Sequence, residues 1–276
     1  MHRVKLDAAG ARSAAREEIP APLHEASEEI LAVLLENPSL DEDLLCRLLE
    51  RKNLSTTFLE RIGQRKEWLA SYRVKRAVAF HPHAPRLLAM RLARELFLMD
   101  LVQLSLLPAA AGELKRVAEQ LILARLPQLP LGQKLTLARR ASDRVAGALL
   151  AEGKEQVARS ALGNAFLTEA QVLKALSREK LPAPVVAAIA AHPKWSQLYN
   201  VRVALVRHPN TPLARVLAFL PHLTARDLHG LRGAATISQN LRNYLAHEIA
   251  RRSSSEGWGA GPERRRRRRR APSSGG

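Results

Sequence analysis

Apolar side chains recur at intervals of three and four residues along most of the chain, a spacing that predicts amphipathic α-helices. Leu44, Leu45, Leu48 and Leu49 form one such set. Proline and glycine punctuate the segments, so short connections are expected to join antiparallel helices. Leucine, alanine and arginine are abundant and only 4% of the residues are aromatic, which favours helices over strands. The sequence therefore predicts an all-α fold.

A long internal repeat organises these helices. Shifting the sequence by 127 residues aligns 35–125 with 162–252 without a gap, and about 22 of the 91 positions are identical. Unrelated sequences of ordinary composition agree at only about 6 to 8% of positions. The pattern predicts an internal duplication, and the matched pairs include Asn37/Asn164, Trp68/Trp195, Tyr72/Tyr199, His81/His208 and Pro82/Pro209.

Each copy contains a shorter unit of helix, tight turn and helix. Asn37, His81, Asn164 and His208 share one column, and the next column holds Pro38, Pro82, Ala165 and Pro209. Proline cannot continue a helix, so the preceding Asn or His is expected to end the first helix and to bond its freed backbone groups. The second helix has start signals: Asp41 and Thr168 as N-caps, and Pro212 at the first helical position.

Three segments carry a family resemblance: VKRAVAFHPHAPRLLAMRLA, VRVALVRHPNTPLARVLAFL and VARSALGNAFLTEAQVLKAL. They resemble the bacterial leucine-rich repeat variant units, relatives of HEAT and armadillo repeats. The unit starts at 30, 74, 157 and 201 are unevenly spaced, so divergent helices are expected between them. The resemblance implies an α-solenoid that serves as a binding scaffold, and it supplies no catalytic residues.

Composition divides the chain into three regions. Residues 1–26 are expected to be a flexible lead-in, and residues 27–252 a helical repeat array with halves at about 30–150 and 157–252. From 253 to 276 the sequence is rich in Gly, Ser, Pro and Arg, which cannot form a core. This last region is expected to be a disordered, arginine-rich tail.

Basic residues outnumber acidic ones, 44 to 26, which gives a formal charge of +18. Residues 1–250 keep 35 basic and 24 acidic side chains, so the array is basic without its tail. This charge favours an acidic partner. The alternative is that the arginine run is only a solvated tail. The candidate polyanion-binding residues are Lys75 and Arg202, which share a repeat column, and Arg264, Arg265, Arg266, Arg267, Arg268, Arg269 and Arg270.

The remaining chemistry-bearing residues have structural interpretations. The Trp68/Tyr72 and Trp195/Tyr199 pairs are expected to pack between repeats, the alternative being exposed anchors for a peptide. Asp100 and Asp227 are interpreted as helix-capping residues, with Thr224 and Asp227 in capping-box spacing. The histidines lack metal-ligand spacing, and no catalytic or cofactor motif is present. We expect no metal, no cofactor and no enzymatic activity.

One cysteine, Cys46, cannot form an internal disulfide, and neither a secretory signal nor a membrane-spanning run is evident. A cytoplasmic location is expected. The predicted function is a non-enzymatic interaction scaffold, with protein as the first partner class. The alternative is binding of nucleic acid without sequence specificity, through a basic face and the arginine tail. A remote alternative is a nucleic-acid-modifying enzyme of the HEAT-like DNA glycosylase type.

Overall fold

A computed structural model describes residues 8–19, 26–232 and 239–258. Within these residues the secondary structure is entirely helical, and no strand occurs. The helices are α1 (Ala8–Ser13), α2 (Glu28–Leu34), α3 (Glu42–Leu48), α4 (Thr56–Gln64), α5 (Lys66–Ala70), α6 (Tyr72–Phe80), α7 (Arg86–Ala93), α8 (Leu98–Leu106), α9 (Gly112–Arg125), α10 (Leu131–Arg140), α11 (Asp143–Ala151), α12 (Glu155–Leu162), α13 (Glu169–Leu176), α14 (Ala183–Ala191), α15 (Tyr199–Arg207), α16 (Leu213–Phe219), α17 (Ala225–Arg232) and α18 (Gln239–Trp258). Three-residue 3₁₀ turns occur at Leu126–Gln128, Trp195–Gln197 and Leu220–His222.

The helix starts follow the expected turn chemistry in part. The Asp41 carboxylate accepts a hydrogen bond from the backbone N–H of Leu44, as predicted for an N-cap. Thr168 stands at the N-cap of α13 but its hydroxyl makes no capping bond. Pro212 is itself the N-cap of α16, one residue before the position predicted for it, because the helix begins at Leu213.

The helices form two compact units. One comprises residues 1–148 with 164–166, and its fully buried side chains include Phe58, Ile62 and Leu101. The other comprises residues 149–163 with 167–276, and its buried side chains include Trp195, Ile189 and Leu205. Each unit thus buries its own set of large apolar side chains, which is the main source of its stability.

Helix bounds recur with the interval found in the sequence. Seven helices in the first half, α2, α3, α4, α6, α7, α8 and α9, each start 127 residues before a helix in the second half, namely α12 to α18 in order. The position of α5 corresponds to the 3₁₀ turn Trp195–Gln197. The correspondence extends over helices such as α9 and α18, whose sequences share few residues.

Both expected flanking regions are partly helical. In the segment predicted to be a flexible lead-in, α1 forms and Ala11 and Ile19 are fully buried. At the other end, α18 extends to Trp258, beyond the predicted array boundary at residue 252. Arg264–Arg270 lie outside the described residues. No helix in the described ranges is both long enough and apolar enough to cross a membrane.

Candidate interaction surface

The two repeated asparagines hold together helices that are distant in sequence. The Asn37 amide donates to the carbonyls of Ala11 and Ala14, at 2.9 and 3.0 Å. The Asn164 amide donates at the same distances to the carbonyls of Ala138 and Ala141. These four acceptors lie near the ends of α1 and α10, where carbonyls lack helical partners. Both asparagines are buried and therefore have a structural role within the fold.

The two repeated histidines perform a similar task at the next corner. His81 Nε2 lies 2.7 Å from the carbonyl oxygen of Arg51, and His208 Nε2 lies 3.1 Å from that of Arg178. Each Nδ1 accepts the backbone N–H two residues later, so Nε2 is the nitrogen that donates. Burial lowers the pKa of His81 below its usual value. The predicted link to the freed backbone is present, together with a bond to the preceding repeat that the sequence did not indicate.

The repeated tryptophans have different surroundings. Trp195 is buried and its Nε1–H donates to the carbonyl of Leu162, at 2.9 Å. Trp68 is half-buried, and its Nε1 has no hydrogen-bond partner. The carbonyl that corresponds to Leu162 is that of Leu35, and the Arg65 guanidinium bonds it instead. The packing expected of both rings is therefore seen in full only at Trp195.

The repeated tyrosines cap helices in place of the residues predicted for that task. The Tyr72 hydroxyl accepts the N–H of Phe97, at 2.9 Å, and donates to the Asp100 carboxylate. The Tyr199 hydroxyl likewise accepts the N–H of Thr224, and it donates to Asp227. The Thr224 hydroxyl accepts from the Asp227 N–H, which is half of the predicted capping box. The tyrosine supplies the other half in both copies.

Hydrogen bonding also affects the ionisation of this pair. Burial, together with the bond to Asp100, raises the pKa of Tyr72. The bond from Tyr199 lowers the pKa of Asp227, and the Thr224 hydroxyl adds to the effect. The two aspartates thus act as acceptors that order a tyrosine.

The array residues predicted to bind a polyanion have partners within the chain. Lys75 Nζ lies 2.6 Å from a Glu95 carboxylate oxygen, and Arg202 Nε donates to the carbonyl of Ser196 at 2.6 Å. A phosphate would have to compete with these contacts. The arginine run that completes this predicted set is not among the described residues.

A polar groove of about 650 Å³ runs along α3 and α6 in the first unit. Arg73 and Arg76 line it, but Arg73 is bonded to Asp43 and Arg76 to both Asp100 and Gln103. Cys46 also lines this groove, and burial raises the pKa of its thiol. Since both guanidinium groups are neutralised by carboxylates, the groove offers little net charge to a ligand.

An apolar cavity of about 480 Å³ lies between the first turn of α8 and α10. None of its lining residues is charged, and they are Phe97, Leu98, Met99, Gly132, Gln133 and Thr136. Phe97 is 65% exposed although its ring stacks on Tyr72, with centroids 4.1 Å apart. The sequence analysis noted Phe97 only as a missing cap. The exchange of Thr224, Ala225 and Arg226 for three apolar residues in the first copy was the signal for this site.

The histidines do not form a metal site in the described part of the chain, where no group of three His, Cys, Asp or Glu side chains converges. His81 and His83 have rings 5.9 Å apart, but each bonds a backbone carbonyl. Comparison of the chain with protein-family models, with curated proteins and with solved structures gave no match.

Proposed function

We propose that the chain is a helical-repeat protein of the leucine-rich repeat variant and HEAT-like type, an α-solenoid that arose by duplication of about 127 residues. The common interval between seven pairs of helix starts supports this proposal. Further support comes from the bonds of Asn37, Tyr72 and His81, because their counterparts 127 residues later make the same contacts. Chance similarity of two helical segments does not account for matching tertiary hydrogen bonds.

In this proposal the protein is a non-enzymatic scaffold that binds another protein. One observation carries it: the repeated polar side chains are used inside the fold, while large apolar side chains remain on the surface of the first unit. Leu87 is 79% exposed and Phe97 65%, and Met99 and Leu131 are also exposed. Single exposed apolar residues are ordinary, but several around a cavity are typical of a protein-binding surface.

Nucleic acid is the second candidate partner, because the chain carries a charge of +18. The exposed Arg139, Arg140 and Arg226 have no carboxylate partner within the described residues. Binding of this kind would depend on phosphate neutralisation and would be strongly weakened by salt.

An affinity experiment separates the two partner classes. The tagged full-length chain is exposed to an extract of its native host, with and without nuclease, and each captured protein is purified and titrated against the chain. A protein that binds the pure chain in the absence of nucleic acid supports the scaffold. A set of partners lost on nuclease treatment, with direct binding of the chain to duplex nucleic acid, supports the second candidate and contradicts the first.

A further inference from the structure

We infer that the cavity between α8 and α10 is a docking site for a partner segment that combines a bulky apolar side chain with carboxylates. This inference rests on the proposed scaffold function and specifies the partner that one of its surfaces accepts. The volume of about 480 Å³ is in the range of pockets that hold side chains or small ligands.

The fold itself does not require these apolar residues. The corresponding turn before α17 has Thr224, Ala225 and Arg226, yet Tyr199 and Asp227 form the same pair there as Tyr72 and Asp100 do. Threonine even contributes an extra capping bond at that position. In the first copy Phe97 gives up this bond and exposes most of its ring. An exchange that costs a cap and exposes apolar surface points to contact with another molecule.

Gly132 keeps the cavity open. A Cβ atom placed on this glycine would meet nothing within 4 Å, and its backbone is that of an ordinary helix. A larger residue is therefore sterically possible and would also be a better helix former. With glycine at this position, the space beside Phe97 and Met99 stays free for a side chain of the partner.

Charge beside the cavity determines the rest of the partner chemistry. Arg140 follows Thr136 by four residues on α10, and Arg139 follows Gly132 by seven, so both share the face that lines the cavity. Both are exposed, and neither has a carboxylate partner in the described ranges. Positive charge next to an uncharged apolar hollow is complementary to an acidic, amphipathic protein segment. It does not suit bare phosphate, which the apolar lining cannot solvate.

The test uses a displayed library of random peptides, each about 12 residues long, selected on the full-length chain. The expected peptides carry a bulky apolar residue next to Asp or Glu. A fluorescent copy of the best peptide is then titrated against wild-type protein and against Gly132→Leu, which fills the cavity, and Arg139→Glu with Arg140→Glu. Each change is expected to raise the Kd about tenfold or more, since a filled cavity or a reversed charge removes a principal contact.

Matched controls are available in the second unit. Gly230→Leu places the same side chain on an open helical glycine of α17, and Arg215→Glu with Arg226→Glu makes the same change of charge. Both controls should leave the Kd within about twofold of wild type. Phe97→Thr installs the residue of the second copy, and should weaken binding without lowering the melting temperature. Thermal unfolding of every variant separates loss of the site from loss of the fold.

Three results would overturn the inference. The first is that no peptide is selected, or that the selected peptides lack the acidic and apolar combination. The second is that peptides bind but respond equally to site and control variants, which removes this site and leaves the scaffold function intact. The third is that wild type dimerises in sedimentation experiments and Gly132→Leu does not, which would assign the cavity to a second copy of the chain.

Discussion

Trp195 donates its indole N–H to the carbonyl oxygen of Leu162 across 2.9 Å, with only 1% of the side chain exposed. The ring thus combines a large buried apolar surface with a satisfied donor, the arrangement in which a tryptophan contributes most. The corresponding Trp68 has neither feature, because it is half-buried and its indole nitrogen is without a partner. Two residues from the same repeat column therefore differ in their contribution to stability.

Replacing Trp195 by Ala is expected to lower the free energy of unfolding by about 3–5 kcal/mol, the usual cost of truncating a buried tryptophan. Trp68→Ala should cost only about 1–2 kcal/mol, since less surface is buried and no hydrogen bond is lost. Urea denaturation of the two variants in parallel measures the difference. Equal losses would show that the half-buried ring is as important to its unit as the buried one.

Stability should fall in mildly acidic solution because of His81. Its Nδ1 accepts the N–H of His83 and its Nε2 donates to Arg51, so only the neutral ring satisfies both contacts. Burial lowers the pKa of folded His81 below the usual 6.5, so the unfolded state takes up the proton first. The stabilisation is complete above pH 6.5 and is lost as the pH falls from there to the folded-state pKa.

The free energy of unfolding, measured by denaturation between pH 5 and 8, gives the test. One proton corresponds to a slope of at most about 1.4 kcal/mol per pH unit. His81→Asn carries the residue that other repeats have in this column, so it should fold and show a reduced slope. His222→Asn, at an exposed histidine, is the control and should leave the slope unchanged. A slope that persists in His81→Asn would contradict the assignment.

Asn37 is expected to control the docking of α1. Replacement by Ala leaves the carbonyls of Ala11 and Ala14 without their donor, at about 1–3 kcal/mol for each buried group. Since both acceptors are in one short segment, the loss should show as local opening. Hydrogen exchange of residues 8–14 should accelerate while α6 is unaffected. Asn53→Ala, in an exposed turn, is the control, and exchange that rises evenly along the chain would argue for a global effect instead.

The sequence was sufficient for the helices and the repeat interval because these depend on local patterns. The periodicity of Leu44, Leu45 and Leu48 and the turn signal at His81–Pro82 act over a few residues. The all-α secondary structure in the described residues agrees with that prediction. The N-cap at Asp41 is a local feature of the same kind, and it is present.

What the sequence did not indicate are contacts between repeats. The partner of His81 is a carbonyl 30 residues earlier, and Tyr72 caps a helix that starts 25 residues later. Neither relation leaves a periodic mark, because a carbonyl acceptor belongs to every residue. The cavity beside Phe97 was missed for the same reason, since its opposite wall at Gly132 comes from a helix that is distant in sequence.

The arginine run offers the last test, in which a duplex of fixed length is titrated at several salt concentrations. Each arginine of Arg264–Arg270 that neutralises a phosphate releases condensed counterions, so the full run contributes up to about six units to the slope of log affinity against log salt. Truncation after Gly261 leaves the described helices complete, and it should lower the slope by several units if the run binds the duplex. Exposed residues such as Arg226 would account for a weaker remainder. Changing the seven arginines to Gln keeps the length and should have the same effect as truncation. An unchanged slope in both variants would identify the run as a solvated tail, while a slope lost only on truncation would implicate the other residues of this segment.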